Sequence, residues 1–188
     1  MTEFRILTVC IGNVCRSPVA ERLLRLHLGE HVRAGRLAVD SAGVGAMAGD
    51  GIQALALAEL ERLGGSGDGF VARQIDSSHL APADLVLAAT VEVRTKALRQ
   101  EPRALKRTFT IPEFAAVCAA SWDAEVATAA DLVAFAAAHR SLAAGKDLDV
   151  ADPMGRSARV HRDVADQIDG YVRLIAGRLG PLLTSTAP

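Results

Sequence analysis

The ten residues 9–18, VCIGNVCRSP, constrain the fold of this chain more than any other stretch. The preceding run FRILTV (4–9) is typical of a short β-strand, and it stops at Cys10. The following run SPVAERLLRLHL (17–28) places its apolar residues at helical spacing. A chain that passes from strand to helix within so few residues is predicted to form a tight loop there.

The start of this helix has its own local signals. Ser17 is predicted to be the N-cap residue, and Pro18 suits the first helical position. Glu21 is expected to interact favourably with the positive end of the helix dipole.

Strand-like and helix-like runs continue to alternate along the chain, which favours a parallel sheet with right-handed crossovers. We predict an α/β fold of three layers, with a central four-stranded parallel sheet flanked by helices. The further strands are predicted at 36–43, 83–90 and 107–111, the last ended by Pro112. Helices are predicted at 51–64, at 93–100, once or twice within 113–145, and as a long amphipathic helix at 160–179.

Composition narrows the class of protein. A chain of 188 residues is most simply one domain, and half of its residues are apolar. The formal net charge of -1 gives no general attraction to nucleic acid or to an anionic membrane. Three cysteines do not suggest a disulfide framework, and no signal peptide or membrane span is evident. We therefore expect a cytoplasmic protein without nucleic-acid or membrane partners; its oligomeric state is left open.

The loop itself has the residues that a phosphate cradle requires. Cys10 and Arg16 are separated by five residues, and the predicted phosphate-binding set is Ile11, Gly12, Asn13, Val14, Cys15 and Arg16. Backbone N–H groups that converge at a helix N-terminus neutralise a phosphate dianion. Gly12, and with it Asn13, is expected to supply the left-handed backbone angles that turn these groups inward.

Side chains around the loop predict its chemistry. The planar guanidinium of Arg16 is expected to grip two phosphate oxygens, which lysine cannot do. The same positive field favours a nucleophilic thiolate at Cys10. Ser17 is expected to hydrogen-bond that sulfur and to steady it as a leaving group. The alternative is a buried Cys10 that merely ends the strand and a solvated Arg16.

The stretch VCIGNVCRSP resembles the phosphate-binding loop of the low-molecular-weight protein tyrosine phosphatases. The runs VDSAG (39–43), VARQI (71–75), ADLVLAAT (83–90) and DVADPMG (149–155) resemble later segments of that family, in the family's order. The resemblance implies the phosphotyrosine phosphatase I-like fold. It also implies one domain over residues 1–188, with an enlarged helical segment at about 113–150.

By resemblance, the catalytic residues are Cys10, Arg16 and Asp152, with Asp152 as the general acid. The implied reaction forms a phosphocysteine, which water then hydrolyses, and needs neither a metal nor another cofactor. The resemblance also implies that Ser41 braces Asn13. Cys15 either pairs reversibly with Cys10 or packs beneath the loop. Asp147 and Asp149 are weaker candidates for the acid because no proline follows them.

Departures from the family pattern bear on the substrate. Met47 and Met154 stand where aromatic residues are common in the family, and Phe70 where a histidine is common. The expected partner is a phosphorylated protein, with a small aryl or sugar phosphate as the alternative. Arsenate reduction is less favoured because residues 80–100 contain no cysteine and Cys118 stands alone. A non-catalytic phosphate-binding module is the remaining alternative.

Two other features are assigned no function. The string GGSGDG (64–69) follows a predicted helix rather than a strand, so we interpret it as a surface loop. The five histidines form no ligand cluster in the sequence and are expected to be surface or helix-packing residues.

Overall fold

The computed structural model describes residues 3–120 and 126–183. In this part of the chain, a single sheet contains four strands, which are β1 (Phe4–Cys10), β2 (Leu37–Gly43), β3 (Leu85–Ala88) and β4 (Thr108–Thr110). The strand order is β2-β1-β3-β4, and every neighbouring pair is parallel. The predicted four-stranded parallel sheet is therefore confirmed.

The α-helices alternate with these strands. Their bounds are α1 (Arg16–His27), α2 (Gly29–Arg33), α3 (Ala54–Arg62), α4 (Ser77–Leu80), α5 (Val91–Gln100), α6 (Ile111–Ala119), α7 (Ala129–Ala138) and α8 (Ala158–Leu179). Short 3-10 helices lie at Pro102–Arg107, Arg140–Ala143 and Gly180–Leu183. No helix of the described residues combines the length and the apolarity that a membrane crossing requires.

Alternate residues of β1 face opposite sides of the sheet, and each side has its own core. Ile6 packs into the larger core with residues of α1, α6 and α8. Leu7 and Val9 pack into the smaller core, which includes Val93 and Ala97 of α5. Helices therefore cover both faces, as a parallel sheet requires, and the three-layer prediction is confirmed.

The parallel sheet brings the candidate site together at one edge. Cys10 at the end of β1 lies in register with Gly43 at the end of β2, and Val9 lies in register with Ala88 at the end of β3. Because the strands are parallel, the loops that leave their carboxyl ends meet at this edge.

Several predicted boundaries differ from the observed ones by one to three residues, among them those of α1 and β4. Helix α1 begins at Arg16 with Cys15 as its N-cap, so Ser17 is not the cap and Pro18 is the third helical residue. The reason is that the Ser17 side chain is engaged elsewhere, as described below. Strand β4 ends at Thr110, and α6 begins directly afterwards with Pro112 in its first turn.

Candidate active site

Asn13 makes the turn of the loop between β1 and α1. It is the one described non-glycine residue in the left-handed region, with a φ of 55°. Of the two residues predicted to supply left-handed angles, Asn13 does so, whereas Gly12 is not in that region. An asparagine tolerates this conformation better than most residues because its short polar side chain can hydrogen-bond locally.

Two donors reach the sulfur of Cys10. The side chain is buried, with the residue 2% exposed, and it lies at the end of β1. The Ser17 hydroxyl donates to Sγ at 3.0 Å, and the Asn13 backbone N–H donates at 3.3 Å. Both donors point at the sulfur and can stabilise negative charge that develops on it.

A network of buried side chains fixes the loop. The Asn13 amide nitrogen donates to Ser17 Oγ and to Ser41 Oγ, both at 2.9 Å. Its amide oxygen accepts the backbone N–H of Arg73, also at 2.9 Å. The structure thus places Ser41 against Asn13, as the resemblance implied. Arg73 lies in the segment VARQI, and no role for it is predicted from the sequence.

The segment after β2 holds the outer side of the loop. The backbone N–H of Gly45 donates to the Ile11 carbonyl at 3.0 Å, and that of Met47 donates to the Gly12 carbonyl at 2.9 Å. A Cβ atom at Gly43 would lie 2.4 Å from the Ile11 oxygen and 3.0 Å from the Asn13 nitrogen. Only glycine fits there, since both neighbours are backbone atoms.

These carbonyl contacts leave the loop amides available. The N–H groups of Gly12, Val14 and Cys15 donate to no atom within residues 3–120 and 126–183. They precede α1, whose N-terminus adds a positive partial charge. The loop therefore offers a set of donors suited to an anion.

Arg16 connects the loop to a distant segment. The residue is 3% exposed, and its Nη1 atom donates to the Val150 carbonyl at 3.0 Å. Its Nη2 atom donates to Asp152 Oδ2 at 2.6 Å. Its Nε atom is buried and has no hydrogen-bond partner among the described residues. The contacts of Nη1 and Nη2 thus orient the guanidinium, while its Nε–H can still donate a hydrogen bond.

The loop that carries Asp152 is anchored to the sheet. The Val150 N–H donates to the Ala89 carbonyl at 2.8 Å, and Ala89 in turn donates to the Val9 carbonyl. The Asp152 side chain is 45% exposed, and its second oxygen accepts the Met154 N–H at 3.1 Å. Asp149 instead accepts the backbone N–H of Val91, which makes it a structural residue of this loop.

The other cysteines are free thiols in a different environment. Burial, together with the nearby Cys10 and Asp152, raises the pKa of Cys15 to about 12. Burial likewise raises the pKa of Cys118, on α6, to about 12. Both thiols are therefore protonated at neutral pH.

Exposed apolar side chains stand around the loop. They are Ile11 within it, Met47 beside Gly12, and Met154 next to Asp152. Among the described residues, no three His, Cys, Asp or Glu side chains are grouped so that they could hold a metal ion.

Sequence comparison assigns the family. The family model described as low molecular weight phosphotyrosine protein phosphatase matches residues 5–127, which is more than half of the chain. The chain belongs to this family. The match contains Cys10 and Arg16 and ends before Asp152. The role of Asp152 therefore rests on its contact with Arg16 in this structure.

Proteins similar to this chain include one named as a tyrosine phosphatase and one named as an arginine phosphatase. The low molecular weight protein-tyrosine-phosphatase Wzb of Escherichia coli K12 is 43% identical over 89 residues, which are 47% of this chain and 55% of that protein. A protein-arginine-phosphatase of Geobacillus stearothermophilus is 28% identical over 176 residues, 94% of this chain and 96% of that protein. The chain thus spans about half the length of Wzb and nearly all of the arginine phosphatase.

Solved structures support the same fold. The YwlE arginine phosphatase from Geobacillus stearothermophilus matches with a TM-score of 0.69 and 28% identity, covering 93% of this chain and 91% of that one. The tyrosine phosphatase AmsI of Erwinia amylovora matches with a TM-score of 0.71 and 22% identity, covering 95% and 94%. The second likeness is one of fold alone.

Proposed function

We propose that this protein is a cysteine-dependent phosphomonoester hydrolase that acts on phosphotyrosine in proteins. The observation that carries the proposal is the contact of Arg16 with Asp152, because it joins an acid to the loop that holds both the clamp and the Cys10 nucleophile. Family membership supports the same reaction class.

In the first step, the Cys10 thiolate attacks phosphorus and forms an S–P bond while the P–O bond to the leaving group breaks. Asp152 donates a proton to the departing oxygen, which leaves as a phenol. The products of this step are a phosphocysteine and an ionised Asp152. Ser17, which donates to the sulfur, stabilises the thiolate form in which Cys10 attacks.

In the second step, water attacks phosphorus and the S–P bond breaks. Asp152 accepts a proton from this water, so the acid is restored and inorganic phosphate is formed. The Ser17 hydroxyl again stabilises the departing sulfur.

The loop binds the anionic oxygens of the phosphoryl group. Arg16 and the N–H groups of Gly12, Val14 and Cys15 are positioned to stabilise the charge on them in both steps. The Nε atom of Arg16 has no partner to give up before it donates to a phosphoryl oxygen, whereas its Nη2 atom already donates to Asp152. Binding of substrate therefore shifts Asp152 from the guanidinium toward the leaving oxygen.

The apolar rim favours an ester with an apolar leaving group. Ile11, Met47 and Met154 offer adaptable contacts to an aromatic ring. A small aryl phosphate fits the same surfaces.

A second candidate is hydrolysis of phosphoarginine, a P–N bond. The observation in its favour is that the relative named as an arginine phosphatase aligns over 94% of this chain. In that case Asp152 would protonate the guanidinium nitrogen that leaves.

The experiment is a comparison of kcat/KM on four substrates with a metal chelator present. They are a phosphotyrosine peptide, the same peptide with phosphoarginine, p-nitrophenyl phosphate and a sugar phosphate. We expect the phosphotyrosine peptide to be the best substrate and Cys10→Ser to abolish turnover of all four. A higher kcat/KM on phosphoarginine would select the second candidate. A folded, reduced enzyme inactive on all four would leave the binding-module and arsenate-reductase alternatives.

We further propose that residues 1–188 act as one catalytic domain with the enlarged segment at 113–150. The support is that Val150 and Asp152 contact Arg16, which lies at the other end of the chain. The cytoplasmic location and the absence of nucleic-acid and membrane partners stay predictions from composition.

A further inference from the structure

The hydrogen-bond network that reaches Cys10 does not end at Ser41. The Ser41 hydroxyl donates to Glu21 Oε2 at 2.6 Å. Glu21 lies in the second turn of α1, and the residue is 3% exposed. Carboxylates are rarely buried to this extent unless they are paired. The Glu21 side chain is thus the last member of a buried chain of hydrogen bonds that runs from Cys10 through Ser17, Asn13 and Ser41.

Each bond in this chain has a fixed direction. The Asn13 amide oxygen accepts from Arg73, so its amide nitrogen faces the two serines and donates one hydrogen to each. A hydroxyl has one proton to donate. Ser41 gives its proton to Glu21. Ser17 gives its proton to the Cys10 sulfur at 3.0 Å, since its other acceptor, the Ala42 carbonyl, lies farther away at 3.5 Å. An acceptor at position 21 is therefore consistent with every other bond in the chain.

The two oxygens of Glu21 face different partners. Oε2 accepts from Ser41, while Oε1 lies 3.4 Å from the Nε atoms of both Arg22 and Arg25. Asp40, on β2, also faces this group through its ion pair with Arg25. Burial raises the pKa of Glu21, and the Ser41 hydrogen bond and the two arginines oppose that rise.

We propose that Glu21 is a positioning residue for the nucleophile, acting on the Cys10 sulfur through Ser41, Asn13 and Ser17. Glu21 touches neither substrate nor sulfur; it fixes the direction of the bonds that aim the Ser17 hydroxyl. The proposal rests on the proposed function for its kinetic consequence, but its effect on the thiol is independent of turnover.

The substitution Glu21→Gln tests the direction of the chain at constant side-chain size. The amide oxygen of the new side chain is attracted to Arg22 and Arg25, which turns its amide nitrogen toward Ser41. A donor then faces the Ser41 hydroxyl, which can accept it together with the Asn13 N–H, but the Ser41 proton loses its acceptor at position 21. A buried hydroxyl without an acceptor is costly, so Ser41 shifts, which loosens Asn13 and with it the orientation of Ser17.

The first readout is the rate at which iodoacetamide alkylates Cys10, followed by peptide mass spectrometry across a range of pH. We expect Glu21→Gln to slow alkylation about tenfold at mildly acidic pH and to match wild type at alkaline pH, because a misoriented Ser17 hydroxyl no longer donates to the sulfur. We expect kcat on p-nitrophenyl phosphate to fall about tenfold with KM little changed. Simple unfolding would instead expose Cys15 and Cys118 to the reagent.

The second readout is a double-mutant cycle with Ser41→Ala. If Glu21 acts through Ser41, Glu21→Gln has no further effect on alkylation of Cys10 once Ser41 is removed. Additive effects of the two changes would overturn the proposal, as would a folded Glu21→Gln with the wild-type alkylation profile. If Glu21→Gln does not fold, Ser41→Ala is the test, because the proposal requires this variant to slow alkylation of Cys10 at acidic pH. A wild-type alkylation rate in Ser41→Ala would then overturn the proposal.

A matched control is Glu61→Gln on α3, which makes the same chemical change at an exposed position. It is expected to leave alkylation and turnover at the wild-type level. If the wild-type enzyme hydrolyses no substrate, the proposed function fails, but the alkylation profiles still decide the role of Glu21.

Discussion

Asp152 Oδ2 accepts a hydrogen bond of 2.6 Å from Arg16 Nη2, and the two residues are 136 positions apart in the chain. The proposed acid is therefore bound to the proposed phosphate clamp. The same nitrogen is needed for a phosphoryl oxygen, so the carboxylate and the substrate compete for it. This competition gives Asp152 two opposite effects, one on catalysis and one on anion binding.

Asp152→Ala is expected to lower kcat by about 10²-fold or more, because the leaving oxygen loses its proton donor. The same change is expected to tighten inhibition by inorganic phosphate several-fold, since Arg16 Nη2 is released and a negative charge is removed. The measurements are kcat on p-nitrophenyl phosphate and the inhibition constant of phosphate.

The control for this prediction is Asp147→Asn, in the same segment. Asp147 accepts the backbone N–H of Asp149 and has no contact with Arg16. It is expected to leave both constants near the wild-type values. Weaker phosphate inhibition in Asp152→Ala would contradict the competition inferred here.

Gly43→Ala is expected to disrupt the loop although Gly43 bears no side chain. The added methyl would lie 2.4 Å from the Ile11 carbonyl, and only a shift of the backbone relieves this contact. We expect kcat/KM to fall by about 10²-fold, as misplacement of a catalytic group by about 1 Å costs that much. Gly45→Ala is the matched control, because nothing lies within 4 Å of a Cβ atom there. Equal activity of the two variants would show that the close packing is not needed.

Selective labelling tests the environments of the three cysteines. Burial raises the pKa of Cys15 and Cys118 from 9.0 to about 12, so iodoacetamide at about pH 7 should label Cys10 alone. Inorganic phosphate should protect Cys10 by occupying the loop. Peptide mass spectrometry after short exposure measures both effects. Comparable labelling of Cys15 in the folded protein would contradict the buried, protonated thiol.

The same shifts predict how stability depends on pH. Between pH 9 and 12 the unfolded chain loses the thiol protons of Cys15 and Cys118 while the folded protein keeps them. The unfolded state then binds fewer protons, so the free energy of unfolding falls as the pH rises through this range. Thermal unfolding of wild type and Cys118→Ala across this range measures the effect, which should be smaller in the variant.

Much of the fold could be predicted because its signals are local. Apolar runs bounded by glycine and proline define the strands, and Cys10, Gly12 and Arg16 at the end of the first run indicate the phosphate loop. Two local predictions were wrong, wholly or in part, because tertiary contacts decided them. Ser17 does not cap α1, since its hydroxyl donates to Cys10. Of Gly12 and Asn13, only Asn13 takes the left-handed angle, and its side chain is held by Ser41 and Arg73.

Contacts between distant segments could not be predicted from local patterns. Nothing near Val150 indicates that its carbonyl binds Arg16, because that contact requires the loop after β1 and the loop that carries Asp152 to meet at one edge of the sheet. The burial of Glu21 was also missed. Its position near the start of a helix suggested an interaction with the helix dipole, whereas the structure buries it against Ser41.

The central claim is that Cys10 carries the phosphoryl group during turnover. The most direct measurement is mass spectrometry of the enzyme after acid quenching of a steady-state reaction with p-nitrophenyl phosphate, with Asp152→Ala included to slow hydrolysis of the intermediate. The account predicts one phosphoryl group on the peptide that contains Cys10, and none in Cys10→Ser under the same conditions. Turnover with no phosphoryl group on Cys10, or sustained turnover by Cys10→Ser, would contradict it.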